Sequence, residues 1–326
     1  MSPNAVAIRI RNVRQEKLVG NILEVADEDV WSAFLPQETV ESPVRTKGAA
    51  AWVTAMLFSD LALSRRLERA EGYACAKFAE ARRRVFPDCG AGWIKCAGTY
   101  AVFDGVDSPL TASFGLGLFE VLNPASLAII ESFFLDHGAQ VSHEVIPFAP
   151  IATLELLCNR NYRPIEFSNV LFRGLEPAIP KHNDRIRIRI VGKEETQLWT
   201  NINAKGWTHE CPELLQFLLQ LGTISGACEQ IVRFLAEFDG KPGAAGALCI
   251  HEGVGVLGGS ATIPELRHRG LQTALVAERL RYAFEHGCDL TMMAAQPGSN
   301  SQHNGERHGF QIAYTRTKWR LRVSQG

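Results

Sequence analysis

"ATIPELRHRGLQTAL", residues 261–275, is the stretch on which the reading of this chain turns. A strand-like apolar run ends at Ile263-Pro264, and Arg267, His268 and Arg269 stand directly before Gly270, where a helix-like pattern begins. A helix start already carries positive partial charge, so cations placed there destabilise it unless an anion compensates. The first-turn N–H groups have no partner inside the helix, and a residue as small as Gly270 lets an anion approach them. The pattern points to a cradle for a pyrophosphate-like anion rather than a metal, with Arg267 and Arg269 at its rim. Val276, Leu280, Ala283 and Phe284 recur at helical spacing and predict a core-facing stripe, while Gly287 after His286 predicts the helix end.

Upstream, "IVRFLAEFDG", "GAAGALCIHEG" and "VGVLGGSATIP" read as three successive strands joined by turn residues at Asp239-Gly240-Lys241 and His251-Glu252-Gly253. "RIRIRIV" reads as a preceding strand, with helices over 193–205 and "PELLQFLLQLG", where Pro212 suits a first helical turn. Downstream come the strand "DLTMMAA", a short helix over 299–308 and a last strand or hairpin from Phe310. "GVGVLGG", 253–259, satisfies a GxGxxG pattern, but its glycines lie in a hairpin and its outgoing strand rather than between strand and helix. A nucleotide-binding oxidoreductase is therefore disfavoured, and Gly258 and Gly259 read as a bulge or a close backbone approach.

The first half repeats the pattern. "FFLDHGAQV" (133–141) answers "AFEHGCDL" (283–290), and "NRNYRPIEFSNVLFR" (159–173) answers "ERHGFQIAYTRTKWR" (306–320). "IRIR" recurs at 8–11 and 186–189 with a larger offset, which implies extra residues near the front of the first copy. There the expected strands are 5–13, "GWIKCAGTYAVFDG", "LTASFGLGLFEV", "QVSHEVIPF" and "RPIEFSNVLFR", with helices over about 47–86, 124–137 and 150–160. "GLEPAIPKHND", 174–184, has linker composition and predicts a boundary near 180, dividing the chain into 1–178 and 179–326. The fold class is α/β (α+β), with a mixed, mostly antiparallel sheet flanked by helices in each half.

Composition sets the frame. At 326 residues the chain suits about two domains. A net charge of -1 gives no global field for nucleic acid, so an anion site must be local. No run reaches a membrane-spanning length. The eight cysteines are scattered without CxxC pairs or zinc-ligand spacing, which fits reduced thiols in the cytoplasm and no metal.

With these residues in place, the C-terminal half resembles the GNAT superfamily of N-acetyltransferases. "TIPELRHRGLQTAL" matches that family's (Arg or Gln)-x-x-Gly-x-(Gly or Ala) loop through Arg267, Gly270 and Gln272, the last standing where the family has a small residue. "QPGSNSQHNGERHGF" resembles its short helix and Gly-Phe entry to the next strand. The resemblance implies two tandem GNAT-like domains, the first a degenerate copy, with acetyl-CoA as co-substrate. It implies that Ala261, Thr262 and Ile263 pair with the pantetheine arm. It further implies that amides around Arg269, Gly270, Leu271, Gln272 and Thr273, beside Arg267 and His268, hold the pyrophosphate, with Asn304 as a polar contact. In the first copy "GLGLFEVLNPASLAII" has Glu120, no arginine before the helix, and Pro124 at its start, so cofactor binding is expected to be lost there.

The implied activity is transfer of an acetyl group to an amine of a small-molecule or peptide acceptor, without nucleic acid or membrane partners and with a homo-oligomer left open. Many relatives carry a tyrosine four residues before the Gly-Phe pair to serve the leaving thiolate; here that place is Gly305. Tyr314, Glu252 and Ser301 are the substitute catalytic candidates, with His251, Asp239 and Glu210 as further bases, and Ser299 beside Ser301 and Asn304 on the short helix. Trp199, Trp207 and His209 are candidates for lining an acceptor pocket. The absent tyrosine keeps a second class open, a non-catalytic CoA-binding or regulatory protein.

Overall fold

The computed structural model describes residues 58–177, 183–208 and 212–322. The first repeat contributes α1 (Leu61–Val85), β1 (Gly92–Cys96), β2 (Thr99–Phe103), β3 (Ala112–Phe114), α2 (Pro124–Asp136), β4 (Ser142–Val145), α3 (Ile151–Asn159) and β5 (Tyr162–Gly174). The second contributes β6 (Ile186–Ile190), α4 (Thr196–Thr208), α5 (Leu215–Ala227), β7 (Ile231–Phe238), β8 (Lys241–His251) and β9 (Val254–Thr262). It continues through α6 (Leu271–Glu285), β10 (Leu290–Ala295), α7 (Asn300–Arg307) and β11 (Gln311–Leu321). The order from β1 to β5 is thus repeated from β7 to β11. In both, a helix crosses between parallel strands, β3 to β4 and β9 to β10.

All these strands share one sheet in the order β1-β2-β3-β4-β11-β5-β10-β9-β8-β7-β6. The last strands are exchanged: β11 lies against β4 of the first repeat, and β5 lies against β10 of the second. Long β5 and β11 pair antiparallel with each other as the spine. Neither repeat closes its sheet alone. The boundary expected near 180 falls at 178–182, outside the described residues, as do the strand over 5–13 and "IRIR" at 8–11.

Two-residue turns set the hairpins. Ala97-Gly98, Asp239-Gly240 and Glu252-Gly253 all have positive φ at both positions, the type I′ geometry that matches strand twist. The first corrects the sequence reading, because "GWIKCAGTYAVFDG" is the β1–β2 hairpin rather than one strand. "LTASFGLGLFEV" is strand only at Ala112–Phe114, and the first helix begins at Leu61, capped by the Asp60 carboxylate accepting from the Leu63 N–H.

Alternate residues of the strands face opposite layers. On β2, Tyr100 and Val102 pack with α1, whereas Ala101 and Phe103 pack with α2. On the second half, Leu235 and Ala245 meet Trp199 of α4, whereas Phe234 and Ala244 meet Leu275 and Leu280 of α6. Helix α1 spans about 37 Å at the α-helical rise and packs against β2 of one repeat and β8 and β9 of the other. The α6 stripe includes Val276, Leu280 and Ala283 as expected, but Phe284 is 38% exposed, and Leu271 and Leu275 complete the buried apolar face.

Two of the buried polar clusters in this frame centre on Arg316 and His143. Around β11, Arg316 holds Glu71 at 2.5 Å and Glu144 at 3.2 Å, while the Tyr314 hydroxyl donates to Glu68 at 2.9 Å. Burial raises Glu68, with Arg316 opposing the rise. In the first repeat, His143 Nδ1 lies 2.7 Å from the Ser113 hydroxyl and its Nε2 3.0 Å from the Tyr162 hydroxyl, which donates to Glu131.

Burial drives His143 down to about 3, so the folded protein keeps it neutral where the unfolded chain protonates it near 6.5. Below that unfolded value the unfolded state binds the extra proton, so stability falls as pH drops from about 6.5 towards about 3. Buried Glu68 acts in the opposite sense, its stabilising contribution being lost as pH rises through its elevated value. Comparison with His143→Gln isolates the histidine. Denaturant melts should show wild type losing on the order of 1.4 kcal/mol per pH unit more than the variant within that window, and parallel pH profiles would refute the assignment.

Candidate functional site

The site is made where two parallel strands part. β9 and β10 pair at only Val254↔Leu290, Gly255↔Thr291 and Val256↔Met292, after which β9 runs on to Thr262 without a partner on that side. On its other side β9 carries a bulge opposite β8, with Ala247 facing Gly258 and Ala245 facing Ala261. Gly259 takes φ +56 within it, and a side chain at Gly258 would meet nothing within 4 Å. The two glycines are exposed, and the wedge they border is open. The expected bulge at Gly258 and Gly259 is therefore present.

At the end of β9 the chain makes a 3-10 turn over Pro264–Leu266 and enters α6 through Gly270, whose φ is +85. No side chain caps α6. The amides of Leu271, Gln272 and Thr273 thus face outward at the positive end of the helix. His268 is exposed with φ +61, and the exposed Arg269 guanidinium lies 5.8 Å from the Phe238 ring centre. Arg267 departs from its expected place at the rim. Its Nη2 donates to the Gly206 carbonyl at 3.0 Å and its Nε to Thr262 at 3.3 Å, so it braces the loop against α4. Ala261 and Ile263 are buried, and Thr262 Oγ1 is buried without a hydrogen-bond partner.

The corresponding region of the first repeat is built differently. β3 and β4 pair only at Ser113↔His143, but the following residues Leu116 and Leu118 are buried, Leu118 beside Ile146 just past β4. The Gly115 N–H already donates to Glu68. At the start of α2, Pro124 has no N–H, and Asn123 Oδ1 accepts from Ala125 and Ser126 at 3.0 and 2.9 Å. The donors that α6 leaves open are therefore satisfied in α2.

The catalytic candidates fare unevenly. Glu252 lies in the β8–β9 turn, at the opposite end of β9 from Thr262 and roughly 30 Å along it at strand rise, where Arg69 pairs with it at 3.2 Å. His251 stacks on Tyr73 at the same end, and burial lowers its pKa. Tyr314 is buried on β11 and donates to Glu68, two strands away from β10. Neither Tyr314 nor Glu252 borders the wedge. Asp239 is tied to Arg185, whose hydrogen bond holds its carboxyl below the usual range.

On α7, Ser301 is exposed, Asn304 is half-buried, and Ser299 caps the helix by accepting from the Gln302 N–H. Gly305 packs closely on β10: a Cβ there would lie 2.9 Å from the Met293 sulfur, so a larger residue would require that methionine side chain to shift. Trp199 is a core residue donating to the Phe234 carbonyl, and Trp207 is 46% exposed at the end of α4. His209 and Glu210 lie outside the described residues.

Residues 195–310, which hold the wedge, the uncapped helix and α7, match the model of the Acetyltransferase (GNAT) family. The C-terminal half carries a GNAT domain. The GNAT match leaves out the last strand, β11. Among solved structures, the fold is shared with a GCN5-related N-acetyltransferase from Kribbella flavida, with a TM-score of 0.56 and 16% identity over 80% of this chain and 96% of that one. Lower similarity is found to a GCN5-related N-acetyltransferase from Sphaerobacter thermophilus, with a TM-score of 0.45 and 14% identity over 65% and 72%. A tandem GNAT protein from the clavulanic acid biosynthesis pathway gives 0.49 and 13% over 82% and 98%. No curated protein matches the chain.

Two residues that border the bulge had no motif to reveal them. Asn203 of α4 donates to the Gly259 carbonyl. Arg279 of α6 is 1% exposed and donates to Leu275, Ala247 and Gly258 carbonyls. Among the described residues no carboxylate pairs with it, and burial lowers its pKa. In sequence it is one arginine among several on a helix, and only the fold sets it apart.

Proposed function

We propose that the chain is an acetyl-CoA-dependent N-acyltransferase with one cofactor site, in the wedge between β9 and β10. The observation that carries this reading is the contrast between the two helix starts: α6 uncapped beside an open strand edge, α2 capped beside a filled one. The chain fits the cofactor by its donor set. Amides from Arg269 to Thr273 hold the pyrophosphate, Arg269 and His268 stand beside it, and the Ala261 and Thr262 backbone pairs with the pantetheine arm, while the Ile263 N–H is already given to the Gly243 carbonyl. Asn304 flanks the wedge from α7. The division into 1–178 and 179–326 then separates a repeat that has lost cofactor binding from one that keeps it, within a single shared sheet.

Acetyl-CoA supplies the acetyl group as a thioester: the amine nitrogen bonds to the carbonyl carbon, the carbon–sulfur bond breaks, and the proton lost by the nitrogen leaves on the sulfur as the thiol. The chain contributes chiefly by holding the reactants together. Its second contribution is the Gly259 N–H, a fixed donor beside the place where negative charge develops on the carbonyl oxygen. Trp207 and the end of α4 flank the acceptor side, which suits a small-molecule or peptide amine. The cysteines of the described residues are all free, in keeping with a cytoplasmic setting, and no described helix is long and apolar enough to cross a membrane.

The test is thiol release from acetyl-CoA across a panel of polyamine, aminoglycoside, amino-acid and peptide amines. Amine-dependent release by wild type is expected. Cofactor binding with no release for any amine would favour the second reading, a CoA-binding regulatory protein, to which the glycine at position 305 lends support.

A further inference from the structure

The β9 bulge is pinned from both faces of the sheet. From the α6 side, Arg279 Nη1 donates to the Ala247 carbonyl at 3.2 Å and to the Gly258 carbonyl at 3.4 Å. From the α4 side, Asn203 Nδ2 donates to the Gly259 carbonyl. Gly246 leaves the space for this, since a Cβ there would lie 3.1 Å from the Arg279 guanidinium carbon. An arginine without a carboxylate is a costly filling for such a place, as an unpaired buried charge loses several kcal/mol of hydration. A leucine or methionine would pack there without that loss; what the guanidinium adds is its donors to the Leu275, Ala247 and Gly258 carbonyls.

The peptide joining Gly258 and Gly259 is trans, so its N–H points opposite to its carbonyl. With the Gly258 carbonyl drawn towards Arg279 and β8, the Gly259 N–H is turned away from them, towards the wedge. A cation on the carbonyl oxygen also polarises the peptide and strengthens its N–H as a donor.

We infer that Arg279 is a positioning residue that aims and polarises the Gly259 N–H towards the acetyl carbonyl of the bound thioester. The inference rests on the cofactor reading above and adds a residue to it. Arg279 touches neither cofactor nor acceptor and acts through one peptide bond.

The test uses the full chain with acetyl-CoA carrying 13C at the thioester carbonyl. Infrared difference spectra read polarisation of the carbonyl, and calorimetry reads affinity separately. In wild type the carbonyl band should move to lower wavenumber on binding. In Arg279→Met and Arg279→Lys affinity should stay within about threefold, because pyrophosphate and pantetheine contacts lie elsewhere, while the band returns towards its free position. Lysine retains the cation without the fork, so it provides a folded comparison if the methionine variant misfolds. Thiol release with an active amine should fall about 100-fold, as for loss of one oxyanion donor. A variant that binds acetyl-CoA with the wild-type band position overturns the inference alone. Wild type that binds no acetyl-CoA overturns the cofactor reading and the inference with it.

Discussion

Gly270→Glu should abolish measurable acetyl-CoA binding, with affinity falling at least about 100-fold, or about 2.7 kcal/mol. Two effects combine. The backbone at Gly270 has φ +85, where a side chain is strained by about 1–2 kcal/mol. A carboxylate at this position also sits at the positive end of α6, where it competes for the amides that would receive the pyrophosphate. The fold should survive, because a Cβ at Gly270 meets only Ile186 Cδ1, at 3.5 Å. Gly270→Ala separates the causes by introducing strain without the charge, and should weaken binding by less than the glutamate. Calorimetry on both variants, with circular dichroism to verify the fold, checks the result. Equal affinity for wild type and Gly270→Glu would mean that the cofactor lies elsewhere.

Arg316→Met should destabilise the fold by about 3–5 kcal/mol, as for loss of one partner of a buried pair. Arg316 is 4% exposed and sits on the exchanged strand β11, within reach of Glu71 on α1 and Glu144 on β4. Glu68 lies 3.6 Å away. Its Nε also donates to Ser168 on β5 at 2.9 Å. Removing the cation leaves Glu68 and Glu71 without it in a closed space where two repeats interlock, while Glu144 keeps Lys318 at 3.2 Å. Thermal melts should show a fall of roughly 10 °C or more. A Tm unchanged by the substitution would show that the exchanged strands are held by packing and ladder bonds alone. Glu71→Gln should recover part of the loss when combined with Arg316→Met, because it removes one of the stranded charges.

Much of this architecture was legible in the residues. The second repeat followed from strand alternation, from turn residues that select two-residue hairpins, and from the loop before Gly270. The repeat itself showed in short matches, and α2, β4, α3 and β5 recur as α6, β10, α7 and β11. What remained hidden depends on contacts between distant segments. Nothing local in "NVLFRG" or "KWRL" states that β5 and β11 trade places, because a strand's neighbours are chosen by the whole sheet. Ala97-Gly98 does not announce itself as a turn, because Asn or Asp usually stands at its first position. Tyr314 and Glu252 carry suitable chemistry, yet one is spent on Glu68 and the other on Arg69. Arg267 fits its motif by position while its side chain braces α4, and Arg279 and Asn203 become notable only once the bulge between them is seen.

The most direct measurement is isothermal titration of the pure chain with acetyl-CoA, read for stoichiometry. One site per chain, lost in Gly270→Glu, is the expected result and places the cofactor on the uncapped helix of the second repeat. Two sites would mean that the capped start of α2 and the filled wedge beside β4 still accept the cofactor. Absence of binding would contradict the acetyltransferase assignment itself.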